Sequence, residues 1–274
     1  MSSRRYLPAI FLLFIGSGCA ALVYEIVWFQ LLQMVIGSSA VSLGILLGTF
    51  MGGMCLGSLL QPRLISPRQH PMRVYAFLEL GIGAFGLLIP VAIPLVRGVY
   101  TAWAGTGSIG IILRAFAAGI CLLPPTMLMG ATLPAISRWV KATPEGISWL
   151  GFFYGGNIAG GVVGSLLAGF YLLRVYDVLI ATIVAVALNV AVALIAVLLA
   201  GRTRHVVEVE AVKSTTSARG NLTVHTAIAL SGLTALGSEV IWTRILSLHF
   251  GATVYTFSLI LAVFLVGLGI GSAT

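Results

Sequence analysis

Two carboxylates stand where an acid is costly. Glu25 lies in the apolar stretch SGCAALVYEIVWFQLL, which begins at Ser17, and Glu239 lies in SGLTALGSEVIWTRIL, which begins at Ser231. Each acid is followed three residues on by a tryptophan, Trp28 and Trp242, a spacing that predicts one shared helical face. A charged side chain at the centre of a membrane helix costs roughly 2.5–3.5 kcal/mol on translocon scales, so such a residue is expected to face a protein interior or water. A carboxylate pair flanked by indole faces can hold an organic cation. The acids neutralise the charge, and each indole adds about 0.5–2 kcal/mol of cation–π attraction. Tyr24 adds a phenol beside Glu25. The same acids can also carry protons. A structural reading stands beside these: each glutamate accepts local hydrogen bonds or pairs with Arg244 or Arg114, and each tryptophan belongs to an interfacial aromatic belt. Duplicated packing would be copied as readily as duplicated chemistry, so spacing alone leaves both readings open.

Other polar residues inside apolar runs are weaker signals. Arg114 opens a span and either contacts a ligand or snorkels outward. Asn157 sits in the glycine-rich stretch YGGNIAGGVVG, where an amide typically bonds across helices. Together with the two acids, Tyr24 and the two tryptophans, these make the candidate binding set. Glu79 reads as a solvated or salt-bridged acid near a span end. Pro124, Pro125 and Pro134 are expected to kink or break their span. Gly44, Gly48 and Gly52, and likewise Gly156, Gly160 and Gly164, are spaced to let helix backbones approach closely. His70, His205, His225 and His249 show no metal-ligand spacing, and Cys19, Cys55 and Cys121 read as small packing residues. No catalytic set, metal or cofactor is expected.

The elements that must position these residues are membrane helices. Of 274 residues, 59% are hydrophobic and only 8% charged, with a mean hydropathy of +1.10. A soluble domain carries about 25% charged residues, so the lipid bilayer is the expected surrounding. The net charge of +8 does not point to nucleic acid, because the basic residues sit between apolar runs and form no patch. A span needs about 20 apolar residues. Eight candidates follow: Leu7–Val35, Val41–Leu60, Val74–Val96, Ile109–Ala135, Trp149–Leu173, Val178–Ala200, Val224–Leu248, and Ala252 to the end. The first is read as a retained span and not a cleaved signal, since its pattern recurs at Ser231.

With strict alternation, Arg4, Arg5, Arg63, Arg68, Arg73, Arg138, Lys141, Arg202, Arg204, Lys213 and Arg219 fall on one side. Arg97 and Arg174 fall on the other. The basic side is expected to be cytoplasmic, which puts the N-terminus and the polar linker Gly201–Leu222 there, with the inner membrane as the location.

The two quoted stretches align without a gap. Gly37, Gly53, Gly57 and Ser58 match Gly251, Gly267, Gly271 and Ser272. Spans one and two thus correspond to spans seven and eight, with the same orientation. The expected organisation is an all-α, major facilitator-like bundle. Its first six-span repeat covers 1–200, the linker 201–222, and the start of a second parallel repeat 223–274. Because the chain stops at GSAT soon after that glycine pattern, a longer protein is expected to continue.

Three stretches carry a family resemblance: SGCAALVYEIVW, LLPPTMLMGATLPAISRW from Leu122, and YGGNIAGGVVGSLLAGFYLL from Tyr154. They resemble the membrane region of the fused major facilitator/spermidine synthase family, over nearly the whole chain. The paired glutamates and the two-half repeat point to polyamines or related organic cations as the ligand class. The resemblance implies a cytoplasmic aminopropyltransferase-like domain downstream or as a partner chain. No glycine-rich loop with a spaced acid occurs in this chain, so none of that domain's residues carry over. Two functions are therefore expected to compete: a transporter-like domain, and a membrane anchor for an enzyme that lies elsewhere.

Overall fold

The computed structural model describes residues 6–36, 40–66, 68–103, 108–141, 146–203, 218–251 and 253–273. Among them every regular element is a helix. The order is α1 (Leu7–Ile36), α2 (Ala40–Leu64), α3 (Pro71–Trp103), α4 (Ser108–Lys141), α5 (Gly146–Leu167), a π-helical segment (Ala168–Leu172) running into the single turn α6 (Leu173–Val175), α7 (Val178–Arg202), α8 (Ala218–Phe250) and α9 (Val254–Ala273). Eight segments among the described residues are long and apolar enough to cross a membrane. This follows from the composition. Hydrocarbon offers no hydrogen-bond partners, so an apolar run must satisfy its backbone internally, and a helix does so. The chain is thus a multi-pass membrane protein, all-helical among the described residues.

The spans fall where hydropathy places them, with longer ends on α3, α4 and α8. The three prolines of α4 do not break it: Pro124, Pro125 and Pro134 all lie inside one continuous helix. The connection at 37–39 and most of the polar linker, 204–217, lie outside the described residues.

Helix α1 is the axis of the packing. It lies against α5 and α7 along most of its length, while α2 packs on α4 and α3 on both α4 and α7. Helix α9 packs on α5. By contrast, α8 touches little beyond α9 and α2, and most of its side chains are exposed. Two buried clusters divide the bundle by height. One joins the start of α1 (Leu7, Ile10) to the start of α3 (Met72), the end of α4 (Trp139, Val140) and the end of α7 (Leu199). The other joins the end of α1 (Leu32, Val35) to Leu43 of α2, Ile93 of α3, Ala118 of α4, Ala181 of α7 and Phe257 of α9. The helices therefore alternate in direction. At the first end, His70 Nε2 donates to the Thr203 carbonyl at 3.0 Å and Arg138 Nη1 donates to the Ile65 carbonyl at 3.2 Å. These are the loops that carry much of the basic charge.

Glycine lets two helix pairs touch backbone to backbone. A Cβ built on Gly57 would overlap the Met127 carbonyl oxygen, and one on Gly130 would overlap that of Met54, so α2 and α4 lock reciprocally. On α5, Gly160 and Gly164 meet the Ile15 and Cys19 carbonyls of α1 in the same way. The α5 series thus packs as its spacing predicts, and the α2 series does not. Gly44, Gly48 and Gly52 meet nothing within 4 Å. They lie on the exposed face of α2. The contact falls to Gly53 and Gly57, a stripe that begins one residue past Gly52 and so lies roughly 100° around the helix. Cys55 is likewise exposed, whereas Cys19 is buried.

Two connections have clear local causes. Gly251, between α8 and α9, has φ +88°, a conformation a side chain would resist. Asp177 caps α7: its Oδ1 accepts from the Ile180 backbone N–H at 2.8 Å. Asp177→Ala should therefore cost about 1 kcal/mol and increase amide exchange in the first turn of α7, read by hydrogen–deuterium exchange, without altering the core.

Candidate functional site

Both repeated acids are buried. Glu25 is 2% exposed and Glu239 is 7% exposed. The Oε1 atom of each is sealed from solvent and has no hydrogen-bond partner. They belong to α1 and α8, and residues one to two turns beyond each of them border one cavity. The helix positions explain how. Phe29, one turn beyond Glu25, packs on Phe257 of α9 with ring centroids 4.4 Å apart. Phe29 and Gln33 line a cavity whose other wall includes Val240, Thr243, Arg244 and Ser247 of α8. Glu25, Phe29 and Gln33 recur every fourth residue and so form one stripe of α1, turned toward α8 and α9.

The lining has an internal order. Phe29 and Thr243, Gln33 and Ser247, and Leu43 of α2 and Phe257 of α9 all border this cavity. In each of these pairs the two residues have the same separation in sequence as Glu25 and Glu239. The cavity measures about 40 Å³, room for a few waters at roughly 10–15 Å³ each.

The tryptophans part company. Trp28 is fully buried and stacks on Tyr24 at 5.3 Å between centroids, with Phe50 of α2 at 6.2 Å. Tyr24 in turn lies against Gly86 of α3, whose absent side chain makes its space. The expectation that Trp28 shares the face of Glu25 is therefore corrected. Tyr24 and Trp28 form a stripe directed into α2 and α3, while Glu25 belongs to the neighbouring stripe. Nor is Trp28 a belt residue. Trp242 is 52% exposed and lines an apolar groove with Phe170, Phe250 and Tyr255. The two indoles do not converge on the acids. Arg244 is exposed, and Glu239 Oε1 receives no hydrogen bond from it. Arg114 lies near the start of α4, and its side chain is outside the described residues.

Asn157 belongs to a different place. It meets α1 at Gly18, where a Cβ would lie 2.8 Å from its Oδ1. That contact is about 10 Å along the helix from Glu25, at roughly 1.5 Å per residue. There Asn157 lines a cavity of about 50 Å³ with Ser17, Glu79, Thr132 and Asn189. The walls come from six helices, α1, α2, α3, α4, α5 and α7. The reading of Glu79 as a solvated or salt-bridged span-end acid is corrected: it is 0% exposed, and its carboxylate bonds a serine hydroxyl. Its Oε1 accepts from Ser17 Oγ at 2.6 Å, while its Oε2 is buried without a hydrogen-bond partner. Tyr75, one turn earlier on α3, lies beside the carboxylate, and its hydroxyl donates to the Leu13 carbonyl at 3.4 Å. Asn189 donates through Nδ2 to the Glu79 backbone carbonyl at 3.3 Å. Asn189 is not among the residues singled out from sequence, although an amide in the middle of VALNVAV is the same kind of signal as Asn157.

No family model, curated protein or solved structure matches the chain.

Proposed function

We propose that the chain is a transport-type membrane domain in which Glu25 and Glu239 take the charge of an organic cation, a polyamine being the suspected class. The observation that carries this reading is the acid pair: two buried carboxylates, one on α1 and one on α8, each with a partnerless oxygen. Each buried carboxylate is costly when it is ionised and unpaired, and a bound dication would offset both charges at once. The equal sequence separation across the cavity supports a pseudo-twofold axis between α1 and α8, as a major facilitator-like arrangement of parallel repeats requires. The polyamine class is suggested by the acids themselves, since two carboxylates match a ligand that carries more than one ammonium group. The clustering of basic loops at one end of the bundle supports a cytoplasmic N-terminus in the inner membrane.

Neither acid lines the neighbouring cavity of about 40 Å³, whose one charged lining residue is Arg244; it is too small for a polyamine, so access to the acids requires α8 to move. Helix α8 is the span with the least packing to hold it among the described residues. The same small cavity favours a second reading, a non-transporting anchor for an aminopropyltransferase domain downstream or on a partner chain.

Binding of radiolabelled spermidine to the protein in liposomes separates the two. On the transport reading, Glu25→Gln and Glu239→Gln each weaken binding about tenfold or more, the scale of a lost charge-assisted hydrogen bond. The double variant shows none. Binding that is unchanged in the double variant removes the acids from the site, and a wild-type chain that binds no polyamine leaves the anchor.

A further inference from the structure

The cavity at Glu79 is separate from the acid pair and has its own chemistry. Its polar lining is Ser17, Glu79, Thr132, Asn157 and Asn189, with no basic side chain. The hydrogen bonds around it decide which atoms remain free. A backbone carbonyl only accepts, so Asn189 must turn Nδ2 to the Glu79 carbonyl. That leaves Asn189 Oδ1 pointing away, buried and without a hydrogen-bond partner. Ser17 spends its proton on Glu79 Oε1, and Thr132 spends its proton on the Met129 carbonyl at 2.7 Å. Both hydroxyls are left with lone pairs. Glu79 Oε2 is the second oxygen without a hydrogen-bond partner; the Tyr75 hydroxyl lies beside the carboxylate and donates to the Leu13 carbonyl at 3.4 Å. Both Glu79 and Asn189 are at most 1% exposed. Leaving two such acceptors buried and unsatisfied is costly.

We propose that this cavity binds one monovalent metal cation of sodium's class. The donors are all oxygens, which selects a hard cation over a soft one. Only one carboxylate is present, so a single positive charge is balanced, whereas a divalent ion would leave net charge buried in hydrocarbon. The space of about 50 Å³ admits an ion with one or two waters to complete its shell. Because its walls are drawn from six helices, an ion here ties α1 to α3, α4, α5 and α7 and stabilises the first bundle as a unit.

The test is thermal unfolding of the purified full chain in detergent, in sodium chloride against choline chloride at equal ionic strength. Sodium should raise the melting temperature by about 3 °C when present at roughly tenfold its dissociation constant. Glu79→Gln, nearly the same shape, should lose the shift. Thr132→Val and Asn189→Ala should each reduce it, and they serve if Glu79→Gln does not fold. Glu25→Gln, at the other acid, should retain it in full. Equal melting in sodium and choline across the concentration range overturns the proposal and leaves a hydrated cavity. A sodium shift that persists in Glu79→Gln, or vanishes in Glu25→Gln, overturns it as well.

Discussion

Gly57→Val will destabilise the bundle by about 3 kcal/mol, at or beyond the upper end of ordinary overpacking. Gly48→Ala, earlier on the same helix, will leave stability unchanged or raise it by up to about 1 kcal/mol. The two differ in what lies opposite. A Cβ on Gly57 would overlap the Met127 carbonyl oxygen, part of a backbone that cannot rotate out of the way. The α2–α4 pair must part, and the reciprocal contact of Gly130 with Met54 is lost with it. In a bilayer, helix association rests on close van der Waals packing and hydrogen bonds, because lipid already satisfies apolar surface. A lost backbone contact therefore has little to replace it. Gly48 meets open space, so a methyl there only removes backbone freedom from the unfolded chain. Unfolding in mixed detergent–denaturant micelles reads both. Similar losses for the two variants would mean that α2 does not meet α4 along Gly53 and Gly57.

Trp28→Ala will cost about 3 kcal/mol, while Trp242→Ala will cost almost nothing. Truncating a fully buried aromatic typically costs about 3–5 kcal/mol in a soluble core. In lipid the cavity portion of that loss remains, while the transfer-from-water portion shrinks. Trp28 fills the space between Tyr24 and Phe50, so its removal leaves a void on both sides. Trp242 is half exposed at the rim of an apolar groove and fills no comparable space. Detergent melting curves of the two single variants decide it. Equal costs would mean the two motifs sit in equivalent surroundings.

These contrasts mark the limit of what spacing conveys. The motif Glu-x-x-Trp recurs on α1 and α8, and the cost of an acid in an apolar run turns both away from lipid. The burial of the tryptophans does not follow, because an indole is tolerated in a core, in lipid and at an interface alike. Which of these it meets depends on the neighbours of its helix. Helix α1 is enclosed by α2, α3, α5 and α7, and α8 is enclosed by almost nothing among the described residues. Glycine behaves the same way. Gly160 and Gly48 belong to identical four-residue series, but one faces a backbone and the other faces none.

The sequence by itself determined that this is an all-helical, multi-pass membrane protein, because hydrocarbon forces each long apolar run to satisfy its own backbone. It also gave the approximate limits of the eight spans, and the expectation that Glu25 and Glu239 turn away from lipid. Only the tertiary structure decided which residues share a cavity. The rotation of α1 about its axis sends Glu25, Phe29 and Gln33 toward α8 and α9, and sends Tyr24 and Trp28 toward α2 and α3. The meeting of Glu79, Asn157 and Asn189, drawn from three helices far apart in the chain, is likewise a matter of helix order and rotation. Those depend on close packing between side chains remote in sequence, which no local pattern encodes.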